Sequence, residues 1–294
     1  MPDAGGPEVE PVIRDNEAAF ARLNSVLESV QRTIPYLRAT AHEVKVVSAA
    51  PTVFEDGTYM ACDGLIDDPE WLKAVIVHTG RQLGTEDPMV AASLFVQSYS
   101  YRVLTLAIAC ATTSGVVPDS SASAMAIALK GGRVSLVAYT KPEVLTITAS
   151  DQPVSMSLVG DTQLKTLFDV LHARAIDDHL THLIDATRST IRVGERLLWG
   201  NVAASLAVAC RTMEGSLGEW VQDVGTYFVD HAPARFQGLG SFLVLENAGR
   251  RGWFWERTNC CLYDRLPGDV RCADCSRTPS DTRRGAYRAS LEGS

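Results

Sequence analysis

The chain has 294 residues, 31.8 kDa, 46% hydrophobic and 21% charged, enough to bury a sizeable core without staples. A net charge of −8 argues against a nucleic-acid binder. The acidic, Pro- and Gly-containing start has no basic and then apolar leader, so a cytoplasmic location is expected; there, clustered cysteines hold metals or redox centres more often than structural disulfides.

Residues 1–15 read as a mobile tail. Asp15 or Asn16 then caps a helix whose apolar positions Phe20, Leu23, Leu27 and Val30 recur at spacings of three and four. DDPEWLKAVIVHTG places Pro69 just inside a second helix behind the cap Asp68, and EDPMVAASLF opens a third in the same way at Asp87 and Pro88. That third helix, residues 89–115, is long and apolar enough to raise the question of a membrane span. Gln97, Ser98, Ser100 and Arg102 at its middle point instead to a buried core helix with one polar stripe. Peripheral contact with the inner face of a membrane stays open.

In ASAMAIALKGGRVSLVAYT, apolar runs flank Gly131 and Gly132, a hairpin turn pair, and EVLTITAS offers another strand. Helical periodicity returns over residues 161–188 and 191–213. Strand-like SFLVLENAG and GWFWE then lead into the cysteines. The expected fold is α+β: a predominantly helical domain over residues 16–245 with a small antiparallel sheet, a cysteine-rich segment over 246–279, and a mobile tail over 280–294.

No phosphate-cradling glycine motif and no nucleophile elbow occurs. His179 and His182 lie one helical turn apart and could share a metal with Asp178 or Asp185, but a solvated polar face explains them and is the expectation. Cys62, Cys110 and Cys210 read as small core residues. The other four cysteines are gathered in NCCLYDRLPGDVRCADC: Cys260 and Cys261 adjacent, ten residues, then Cys272 and Cys275. Four thiolates suit a [2Fe-2S] cluster or a tetrahedral zinc, and the count leaves both open beside a pair of disulfides. The adjacent first pair lacks the intervening residues of a usual zinc knuckle. From Glu246 onward there are nine arginines against seven acids, a net +2, while residues 1–245 carry −10. This locally basic tail is either a solvated surface or a dock for an acidic partner or anionic ligand.

CC, ten residues, then CxxC resembles the C-terminal signature of the FhuF-like ferric-siderophore reductase family, with an arginine shortly before CCL and an arginine and a glycine before the last cysteines. LLWGNVAASLA and SLFVQSYSYRVLTLAIA are similar to further stretches of that family, so the resemblance spans about residues 93–275. Asp264 stands where the family pattern leads one to expect a second aromatic. The resemblance implies that Cys260, Cys261, Cys272 and Cys275 ligate a [2Fe-2S] cluster. It implies a reductase that passes one electron to a ferric siderophore and is recharged by an external donor such as a ferredoxin or flavin reductase, with no catalytic side chain beyond the ligands. Trp199, Asn201, Arg250, Arg251, Arg257 and Arg265 are the candidate substrate or partner contacts. Gly200 and Asn201 also have a structural alternative, tight helix packing and satisfaction of buried backbone. Positive charge on Arg257, Arg265 and Arg271 would raise the cluster's potential, and Trp253, Trp255 and Tyr263 would shield the cluster or contact the ligand, shielding being the commoner role of such aromatics. The alternative is a non-catalytic zinc- or cluster-bearing module that binds an iron chelate or takes part in siderophore biosynthesis.

Overall fold

A computed structural model describes residues 16–42, 44–47, 55–146, 161–268 and 271–292. The tail expected over residues 1–15, the cap Asp15 and the end of EVLTITAS lie outside the described residues. In chain order the elements are α1 (Asn16–Thr33), β1 (Arg38–Ala41), β2 (Val46–Val47), β3 (Tyr59–Ala61), α2 (Cys62–Asp67), α3 (Pro69–Leu83), α4 (Pro88–Ser114), β4 (Val116–Pro118), β5 (Met125–Lys130), β6 (Arg133–Tyr139) and β7 (Val144–Thr146). There follow α5 (Asp161–Leu171), a wide π-helical stretch (His172–Thr181), α6 (His182–Thr190), α7 (Glu195–Leu217), α8 (Val221–Asp230), β8 (Gly240–Asn247), β9 (Arg250–Arg257) and α9 (Ser280–Ser290). The fold class is α+β.

The helix starts follow the local chemistry. Asp68 Oδ1 accepts from the backbone N–H of Glu70 and Trp71, both at 3.0 Å, and Asp87 Oδ1 from that of Met89 at 2.9 Å, so each carboxylate satisfies donors that have no partner inside their helix. Helix α4 is the centre of the fold: 78% of its most apolar window is buried, against α7 above all. Its less buried stripe is Gln97, Ser98, Tyr101 and Arg102, and Arg102 spends its guanidinium on the carbonyls of Val134 and Tyr36. By length and composition α4 could cross a membrane, but the protein itself covers it.

The main sheet has the order β1-β6-β5-β3-β2. Its β5–β6 hairpin turns at Gly131 and Gly132, whose φ values of 57° and 73° fit the left-handed pair that a two-residue turn demands. The sheet is mixed rather than wholly antiparallel, because β1 pairs with β6, and β2 with β3, in parallel. These strands have four and two residues, too few to show alternation in the sequence.

Two further differences matter. The helical run over 161–190 widens at His172–Thr181, which shifts the phase of the side chains, and His179 faces inward with none of its surface exposed. The expected solvated face therefore fails at this residue. His179 Nδ1–H donates to Ser120 O at 2.8 Å and Tyr99 Oη–H donates to His179 Nε2 at 2.6 Å, so both ring nitrogens are occupied within the core. Burial, against smaller opposing contributions from the Ser120 carbonyl and Asp119, holds its pKa down to about 4. Residues 280–290, expected to belong to a mobile tail, instead form α9, because Tyr287 and Arg283 have partners on the preceding hairpin. The Tyr287 ring stacks on Phe254 at 4.6 Å, its hydroxyl donates to Trp255 O at 3.0 Å, and Arg283 Nη1 donates to Arg257 O at 3.1 Å.

Candidate metal centre

The four cysteines follow the β8–β9 hairpin, and strand alternation decides what each face of β9 presents. Phe254 and Glu256 face α9. There Glu256 receives Ser280 Oγ–H at 2.6 Å, Arg284 Nη2 at 2.8 Å and Arg283 Nη2 at 3.5 Å. Arg284 first, then Ser280, holds the Glu256 carboxyl below its usual range. Trp253, Trp255 and Arg257 face the helical core, and Arg257 is 1% exposed.

There the hairpin meets the LWGN turn of α7. Asn201, fully buried, accepts from Arg257 Nη2 at Oδ1 (2.8 Å), while its Nδ2 donates to Ser93 O and Ser93 Oγ, both at 2.9 Å. Ser93 Oγ–H in turn donates to Cys261 O at 2.7 Å. One residue earlier in α7, Gly200 is pressed against Asn259, the residue before the cysteine pair. A side chain at 200 would overlap the Asn259 amide, whose Nδ2 donates to Leu197 O at 3.2 Å. Gly200 therefore permits the close approach and Asn201 ties it down. Helix α7 is the seat on which the cysteine loop rests.

The loop turns sharply at Leu262, whose φ of 66° is rare for a residue with a side chain. That turn replaces the spacing the adjacent cysteines lack. It directs Leu262 N–H to Cys260 Sγ at 3.3 Å and buries the Leu262 side chain against Val90 and Leu94. Cys261 and Cys275 are each 1% exposed, Cys260 and Cys272 half-buried, and Cys275 N–H donates to Cys272 O at 3.1 Å. Cys261 Sγ and Cys272 Sγ stand 3.7 Å apart. Two thiolates at about 2.3 Å from one tetrahedral metal would lie roughly 3.8 Å apart, so this pair already has the spacing of co-ligands. Among the described residues no three Cys, His, Asp or Glu side chains form a preassembled metal group.

The sulfurs differ electrostatically. The Cys272 thiol donates to Cys261 and, with a further contribution from Arg257, holds Cys261 down to about 6, while Cys272 is pushed up. Cys260 is pushed up to about 11, by burial first and by Asp264, against the Leu262 N–H. Asp264 stands beside it, accepting from Cys260 Sγ at 3.4 Å and from Arg277 at 2.6 Å. Burial opposes the Asp264 charge, but Arg277 and Cys260 outweigh it and the carboxyl falls below its usual range. The residues suit an anionic thiolate-bound group. Sulfur is the soft donor such a group needs, and Arg257 Nε and Nη1, buried without a partner and acting on Cys261, are donors that an anion would satisfy.

The other candidates are dispersed. Trp199 and Asn201 are interior, so neither meets a substrate at the surface. Trp199 packs on Phe236 at 5.1 Å and under Arg235 at 4.9 Å. Arg257 is interior as well. Arg265 is exposed and pairs with Asp87 at 3.5 Å. Arg250 and Arg251 are exposed at the start of β9, seven and six residues or about 20–23 Å of strand from Arg257, and do not join the cysteines. Trp255 lines an apolar cavity of about 40 Å³ with Phe168, Val202, Phe228 and Phe236. No motif in the sequence marks Ser93, Asn259 or Arg283 as part of the site. Asn259 adjoins the cysteine pair and Ser93 opens the α4 stretch, but nothing in their spacing links them.

Residues 93–235 match the family model described as "Ferric iron reductase FhuF-like transporter". The match runs from Ser93 in α4 to Arg235 beyond α8, and the hairpin, the cysteine loop and α9 follow it. Among solved structures, ATP-bound aerobactin synthetase IucA from a hypervirulent pathotype of Klebsiella pneumoniae has a TM-score of 0.51 and 13% identity, over 74% of this chain and 44% of that one. A second structure of aerobactin synthetase IucA from the same source has a TM-score of 0.50 and 12% identity over the same shares. The chain thus spans less than half the length of these synthetases, and the likeness is one of fold. No curated protein matches the chain significantly.

Proposed function

We propose that this chain, FhuF-like over residues 93–235, is a reductase of ferric siderophores, with Cys260, Cys261, Cys272 and Cys275 holding a [2Fe-2S] cluster. When bound, the cluster would supply the single electron that converts the siderophore's Fe(III) to Fe(II), which hard anionic oxygen ligands hold far less tightly. The observation that carries this reading is the 3.7 Å spacing of Cys261 and Cys272 on a loop seated against the FhuF-like helices. The chain's own residues do the supporting work. Leu262 N–H and the Ser93–Asn201 bonds hold the loop backbone, and buried Cys261 and Cys275 keep two sulfurs from water. Exposed Arg265 near the loop, with Arg250 and Arg251 at the far end of the hairpin, would steer an anionic chelate or an acidic donor such as a ferredoxin or flavin reductase.

A second reading, a zinc- or cluster-bearing module that binds an iron chelate or serves siderophore biosynthesis, draws on the fold shared with the aerobactin synthetases. One experiment separates the two. The protein is purified anaerobically, assayed for iron, zinc and acid-labile sulfide, reduced, and mixed with hydroxamate and catecholate ferric siderophores while Fe(II) is trapped. Cluster reoxidation with matching Fe(II) release is expected. Colourless protein with stoichiometric zinc, or a cluster that no ferric chelate reoxidises, would overturn the proposal.

A further inference from the structure

Resting on that reading, we infer that Arg257 is the fixed internal counter-charge of the cysteine site and sets the potential at which it takes up an electron, whereas Arg265 and Arg271 do not. The three are similarly near the cysteines in sequence, yet the fold treats them differently. Arg265 is exposed and paired with Asp87, and Arg271 is exposed. Arg257 is 1% exposed, and among the described residues no carboxylate pairs with it. The acid next to it, Glu256, points to the opposite face of β9 and is occupied by Arg283, Arg284 and Ser280.

An isolated guanidinium in the interior is costly unless an opposite charge or a full set of acceptors faces it. Arg257 has neither. Nη2 reaches Asn201 Oδ1, while Nε and Nη1 are shut from water without a partner. The bonds that hold it lead to the cysteines, because Asn201 binds Ser93 and Ser93 binds Cys261 O. An anion held by the four cysteines would lie at the end of this relay, where the Arg257 charge already acts on Cys261. Two ferric ions, two sulfides and four thiolates together carry two negative charges, and three after one electron. Cluster potential depends on net charge and on burial, so a fixed positive charge favours the reduced state. At a buried position salt screens it little.

The test is a spectroelectrochemical titration of the loaded full chain, with iron and acid-labile sulfide counted per chain and the reduced state followed by electron paramagnetic resonance. Arg257→Gln should lower the midpoint potential, Arg257→Lys should restore most of it, and Arg265→Gln should leave it unchanged. Should Arg257→Gln fail to load, Asn201→Asp places a carboxylate against the guanidinium and should lower the potential with Arg257 retained. Variants that load fully and titrate at the wild-type potential overturn the inference while the reductase reading stands. A wild-type protein that holds no iron or sulfide overturns both.

Discussion

Replacing Asn201 by Ala tests whether α7 is the seat of the cysteine loop. Asn201 has no exposed surface and makes three hydrogen bonds, one accepted from Arg257 and two donated to Ser93. Truncation leaves a further guanidinium nitrogen unsatisfied. A hydrogen bond to a charged group contributes about 1.5–3 kcal/mol, and the buried acceptors on Ser93 lose a donor as well, so a total near 3 kcal/mol is expected. At about 2 °C per kcal/mol for a chain of this size, the melting temperature should fall by roughly 6 °C. Urea unfolding of the metal-free protein by circular dichroism measures the loss directly, with the slope checked for constancy. Asn201→Asp, which keeps the acceptor for Arg257, should lose less. A loss below about 1 kcal/mol for Asn201→Ala would mean that water replaces the amide and that the seat is not built as described.

Gly200→Ala should spare the helical signal but displace Asn259 and the loop behind it, so iron bound per chain should drop while far-ultraviolet circular dichroism stays the same. Asp264→Asn removes a negative charge beside Cys260, and the thiol should fall from about 11 toward its ordinary range. The pH dependence of alkylation in metal-free protein reads this shift. His179 is held neutral at about 4, below its unfolded value of about 6.5, so the unfolded chain binds the extra proton. Its contribution to stability is complete above the unfolded pKa and is lost as pH falls from about 6.5 through 4, at up to about 1.4 kcal/mol per pH unit. Urea titrations at pH 7 and 4.5 on wild type and His179→Gln check this, and the variant should lose that part of the slope.

The elements legible in the sequence were those whose signals are local. Asp68-Pro69 and Asp87-Pro88 marked helix starts within a residue, and Gly131-Gly132 marked the hairpin, because caps and turns depend on neighbours in the chain. Strands β1 and β2 join the sheet through partners many residues away, and four or two residues carry no pattern. The same division runs through the site. The cysteine spacing is local and visible in the sequence, which leaves Gly200 and Asn201 as either substrate-shaping or packing residues. Only the fold shows that they hold the loop. Their partners Asn259, Ser93 and Arg257 are 56 to 108 residues from Asn201 or its neighbours, and no periodicity encodes such contacts. Helix α9 has no apolar stripe to mark it in the sequence, since Tyr287 is its one large apolar side chain; Arg283 and Tyr287 are its buried residues.

Helix α9 also changes how the sulfurs must be gathered. Strand β9 fixes the chain before Thr258 and α9 fixes it from Ser280, so the thiols lie on a span tethered at both ends rather than on a free tail. The entropy of bringing four ligands to one place falls when a segment is already closed, and most of that cost is met when the hairpin and helix dock. Removing residues 280–294 would untie one anchor while leaving every sulfur in the chain. Such a shortened protein should still fold its helical body yet release metal to a chelator far faster than the full chain.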